Sequence, residues 1–62
     1  MKTLKEAIES QVKSMIERRD QLDRHAKEYA SEGNYYSAML SKIKKEQFDL
    51  IISRLEAILS NY

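Results

Sequence analysis

Tyr29-Ala30-Ser31-Glu32-Gly33-Asn34-Tyr35-Tyr36 decides the fold, because it holds the only glycine of a chain that has no proline. Gly33 fits the position just past a helix C-terminus, where the backbone turns left-handed and any Cβ is strained. Asn34 can then cap a following helix through its side-chain oxygen. The segment predicts a reversal between two helices, and no other stretch offers a comparable break.

Working outward, Thr3 followed by Glu6 is a capping box, in which each side chain satisfies a backbone N–H left free at a helix start. The sequence therefore predicts an all-α fold: one domain over residues 1–62, an antiparallel two-helix hairpin with helices at about 4–32 and 35–60. Glu9/Lys13, Asp20/Arg24 and Asp23/Lys27 set an acid four residues before a base, worth about 0.2–0.5 kcal/mol each on a helix surface.

The apolar pattern carries the functional expectation. In the first helix Leu4, Ile8, Val12, Met15, Leu22, Ala26 and Tyr29 form one stripe, with Ile16 and Ala30 on its edge. The second helix opens with a narrow seam of Tyr36, Leu40 and Ile43, but from Phe48 onward its apolar residues spread over about 200° of circumference. One neighbouring helix cannot cover that arc. Leu50, Ile51 and Ile58 continue the expected seam, leaving Phe48, Ile52, Leu55 and Leu59 to face away from the first helix. In a hairpin turning at Gly33, residue i lies roughly level with residue 67 minus i, which brings Ile16 alongside this second stripe. Phe48, Ile52, Leu55, Leu59 and Ile16 are thus the expected oligomer or partner interface, with two hairpins closing into a four-helix bundle.

Size and composition point the same way. A chain of 62 residues buries only about 60% of its unfolded surface, and small domains usually need disulfides, metals or association to hold a core. There is no cysteine, and the single histidine cannot build a protein metal site alone. Eleven basic and ten acidic residues are interspersed, giving a net charge of +1 and no broad field to attract a polyanion. No stretch has the length and apolarity of a membrane span, and the N-terminal residues lack the apolar region of a signal peptide. A cytoplasmic protein that meets neither membrane nor nucleic acid is the expectation.

Candidates for chemistry are few. His25 borders the apolar stripe beside Arg24 and Lys27, with no nucleophile or orienting carboxylate spaced to act with it. No catalytic residue, cofactor site or metal site is assigned. Arg19, Gln47 and Arg54 fall on or near the expected seam, Gln47 level with Arg19 and Asp20, as a polar layer that fixes register. Lys42, Lys44 and Lys45 are the one local basic cluster and are candidate polar contacts to a partner. With Tyr35 nearby, they also keep open an RNA- or DNA-binding four-helix-bundle dimer as an alternative.

Three resemblances accompany these readings. Tyr29, Gly33, Tyr35 and Ala38, with Ala26 before them, resemble the helix-to-helix corner of a tetratricopeptide repeat, which implies the same corner geometry. Lys45-Glu46-Gln47-Phe48-Asp49 resembles the Ser-Gln-Glu-Leu-Asp segment of small sporulation aspartyl-phosphate phosphatases, themselves two-helix hairpins. There Asp49 matches, Glu46 and Gln47 stand exchanged, and Lys45 replaces the serine; the resemblance implies a phosphatase-like alternative. The outline of a hairpin with an apolar second helix is similar to type III secretion needle co-chaperones. Taken together, the expectation is a non-enzymatic protein–protein interaction module, a small regulator, inhibitor or co-chaperone, acting as a homodimer or on a protein partner.

Overall fold

The computed structural model describes residues 2–62. Two helices, α1 (Leu4–Ser31) and α2 (Tyr35–Leu59), pack side by side as an antiparallel hairpin. The predicted boundaries hold to within one residue at each helix end. At the start of α1 the Glu6 N–H donates to Thr3 Oγ1 at 3.1 Å and the Thr3 N–H donates to Glu6 Oε1 at 3.5 Å, completing the capping box. At the corner Gly33 takes φ +80°. Its N–H donates to the Ala30 carbonyl at 3.1 Å and the Asn34 N–H donates to the Tyr29 carbonyl at 2.8 Å, the Schellman pattern that closes a helix. The Ser37 N–H donates to Asn34 Oδ1 at 3.3 Å, so Asn34 starts α2 as expected.

Which stripe of α2 meets α1 differs from the sequence reading. Ile52 is 4% exposed and forms the core with Val12 and Met15, while Phe48, Leu55, Leu59, Ile8 and Ile16 pack against that core. Four of the five residues expected at an outer interface therefore form α2's side of the intramolecular seam, and the fifth, Ile16, closes on it from α1. Leu50, Ile51 and Ile58, expected in the seam, are exposed, and so are Tyr36, Leu40 and Ile43. Relative to expectation α2 is rotated about its axis by about 140°, counting 100° per residue.

The reason lies in spacing. The inward positions of α2 that are buried or partly so include Ala38, Ser41, Lys45, Phe48, Ile52, Leu55 and Leu59, alternating three and four apart. They meet a matching run in α1 of Ile8, Val12, Met15, Arg19, Leu22 and Ala26. This choice places the bulkiest stripe of α2 opposite the bulkiest part of α1, at the open end. It leaves Ala26, Ala38 and Ser41 beside the tight corner, where a short connection forces the helices together and large side chains would hold them apart.

The middle of the seam is polar and sets the register. Arg19 Nη1 lies 3.2 Å from Asp49 Oδ1, and Lys45 Nζ lies 3.7 Å from Asp23 Oδ1. The paired residue numbers, 19 with 49 and 23 with 45, both add to 68, one off the expected level rule. Arg19 also bonds Asp20 at 3.3 Å, but Gln47 and Arg54 are exposed and take no part, so the polar layer differs from the expected one. A slip of about four residues, one helical turn, would set Arg19 against Lys45 in one direction and Asp23 against Asp49 in the other. Both slips bring like charges together, so the crossed pairs favour one register.

Two outcomes check this arrangement. Ile52→Ala should lower the unfolding free energy by about 2–4 kcal/mol in urea titrations, the usual cost of removing a buried isoleucine's outer atoms. Asp49→Lys should lower the melting temperature more than Asp49→Ala does, and exchanging the charges as Arg19→Asp with Asp49→Arg should recover most of that loss, read by circular dichroism.

Candidate association interface

Because α1 has a single apolar face, covering the Phe48-Ile52-Leu55-Leu59 stripe leaves the other stripe of α2 bare. Tyr36, Leu40, Ile43, Leu50, Ile51 and Ile58 are all exposed, from 40% for Leu40 to 68% for Tyr36. Most of them sit at alternating spacings of three and four, with Gln47 and Arg54 filling the gaps, so they form a second seam on the same helix. Its centre lies about 140° around α2 from the inner seam, and it runs about 33 Å along the axis at 1.5 Å per residue. An exposed apolar strip of that extent is a candidate association surface.

The outward face of α1 offers nothing similar. Glu9, Lys13, Glu17, Gln21, Arg24 and Glu28 are exposed on its outer side, and His25 stands among them in solvent. Any helix that joins this hairpin through an apolar contact must therefore dock on α2.

The lysine cluster is divided by the fold. Lys45 is half-buried against Asp23, Lys42 lies at the helix–helix boundary, and Lys44 is exposed on the other flank of α2. Lys42 and Lys45, with Ala26, Ala30, Ala38 and Met39, line a shallow open groove beside the corner. This groove exists because alanine side chains are too short to fill the space between the helices. Among the described residues, no three His, Cys, Asp or Glu side chains gather in a way that could hold a metal ion.

Electrostatics in the hairpin centre on the same seam charges. A hydrogen bond from Lys27, at 3.2 Å, holds the Asp23 carboxyl below its ordinary value; partial burial opposes this, and the charges of Lys27 and Lys45 add to it. For Arg19 partial burial lowers the pKa, but hydrogen bonds to Asp49 and Asp20 and the charges of both outweigh it, leaving the value raised. These groups tie the two helices together, and Asp23, Lys27 and Lys45 also line the open groove beside the corner.

No family model matches the chain, and no curated protein or solved structure matches it. Assignment of this surface therefore rests on its own geometry. The signal for it was present in the sequence as two parallel three-four ladders in α2, but Ser41 and Lys45 occupy positions of the inner one and hide that ladder from a reading by hydropathy.

The lowered pKa of Asp23 gives a signed pH dependence. Its stabilising effect is present above the ordinary carboxylate value near 4 and is lost as pH falls through the lower folded value. Melting temperature should therefore drop on acidification below about pH 4, and Asp23→Asn should flatten that part of the profile. An unchanged profile in the variant would assign the acid sensitivity to other carboxylates.

Proposed function

We propose that this protein is a non-enzymatic interaction module that works by presenting the outer face of α2 to another helix, and that it self-associates through this face into a four-helix assembly. The single observation behind this reading is the bare stripe of Tyr36, Leu40, Ile43, Leu50, Ile51 and Ile58, running the length of a helix whose opposite side is already packed. A hairpin with three buried apolar residues and none fully enclosed among the described residues has a small core, and a domain of this size normally gains stability from association. A small regulator, inhibitor or co-chaperone is the class of protein that such a surface serves, with protein helices as its targets.

Sedimentation equilibrium tests the surface directly. The unsubstituted chain should associate at micromolar concentration, and Leu50→Asp should weaken association at least tenfold by placing a carboxylate in the centre of the stripe. Because Leu50 is 54% exposed in the single hairpin, the variant should keep its helical circular dichroism. A unsubstituted chain that stays monomeric, or a Leu50→Asp chain that associates unchanged, would refute the assignment.

A further inference from the structure

We propose that the groove beside the corner is a binding site for a small amphipathic anion, an unbranched apolar chain ending in one carboxylate, with its chain along the alanines and its head among Lys27, Lys42 and Lys45. None of the residues of the outer α2 stripe lines this groove. The site is therefore independent of association through that stripe.

The floor of the groove is apolar. Ala26 and Ala30 supply it from α1, and Ala38 and Met39 from α2. Alanines let the two backbones approach at the corner, but their methyl groups stop short of filling the flank between the helices, which leaves a volume of about 340 Å³. That is at the lower end of the ~300–1,000 Å³ of ordinary small-molecule sites. The lining runs from residue 23 to 30 on α1 and from 38 to 45 on α2, about 10 Å of helix at 1.5 Å per residue. A short apolar chain fits that length. Met39, 52% exposed at the rim, is the adaptable side chain that can fold over it.

Charge selects the head group. Three ammonium groups face one carboxylate in the groove, a local charge of +2 where the whole chain carries +1. The carboxylate is already engaged, because Asp23 Oδ2 lies 3.2 Å from Lys27 Nζ and Asp23 Oδ1 lies 3.7 Å from Lys45 Nζ. This bridge holds two ammonium groups at the end of the groove away from the corner, and each keeps N–H donors to spare. Lys42, three residues before Lys45 on α2, makes no ion pair among the described residues, and Glu46 lies beyond ion-pair distance from it. A carboxylate placed among these three groups gains charge-assisted hydrogen bonds, while its chain displaces water from the alanine floor. Neutral and cationic heads lack the first gain.

The probe is octanoate, titrated into the full chain carrying ¹³C-labelled methyl groups on Ala, Ile, Leu and Met. It should shift the methyl signals of Ala26, Ala30, Ala38 and Met39 along one saturating curve at roughly millimolar concentrations, as suits a ligand of this size at an open site. Each methylene removed from the chain should weaken binding about two- to fourfold, and octanol and octylammonium should bind more weakly than octanoate. Lys42→Glu, at an exposed position, should keep its circular dichroism, weaken octanoate about fivefold and turn the preference toward octylammonium. Ala30→Leu, also exposed, should fill the groove and abolish binding of both. Shifts confined to Leu40, Ile43 and Leu50, or shifts that never saturate, would overturn the site while leaving the reading of the outer stripe in place. Octylammonium binding as well as octanoate, or octanoate binding unchanged in Lys42→Glu, would overturn the choice of an anion. Binding that survives Ala30→Leu would overturn the placement of the chain.

Discussion

One helix can cover one face of its neighbour, and this limit organises the whole molecule. α1 has a single apolar stripe, whereas α2 has two. The hairpin must therefore leave one α2 stripe in water, and the stability of the fold depends on which one is enclosed. Packing Phe48, Ile52, Leu55 and Leu59 against Ile8, Val12, Met15 and Ile16 unites the phenylalanine, Met15 and six branched aliphatic side chains in one cluster at the open end. The alternative pairing would have put Tyr36 and Leu40 at the corner, where only small residues allow close approach.

The seam that results is graded along its length. Alanines and Ser41 line the corner half, crossed ion pairs occupy the middle, and the apolar cluster fills the open end. Each part has a separate task. Gly33 reverses the chain, the small residues set the distance between helices, Arg19, Asp23, Lys45 and Asp49 select the register, and the cluster supplies most of the hydrophobic stabilisation. Partly exposed ion pairs contribute little net energy, so their value here lies in discriminating against slipped alignments.

The proposed function rests on the stripe left over. A surface made of tyrosine, leucine and isoleucine at coiled-coil spacing is suited to receive a helix, and it interrupts itself only at Gln47 and Arg54. Those two residues, which look like seam polar groups in the sequence, are instead exposed on the outer face of α2. The cost of their burial depends on what the opposing helix offers them.

The sequence by itself determined the helices, their caps, the corner at Gly33-Asn34, the near-correct level rule and the surplus of apolar surface on the second helix. These are local matters: capping, backbone conformation at glycine and apolar content act over a few residues and can be read in order. It also showed that one stripe of α2 must remain uncovered. Only the tertiary structure decided which stripe that is. Both run the length of the helix with similar spacing, and the inner one carries Ser41 and Lys45, so hydropathy favoured the wrong one. The decision was made by the fit between two helices, through bulk at the open end, smallness at the corner and charge pairing between them, and none of these is a property of either helix alone.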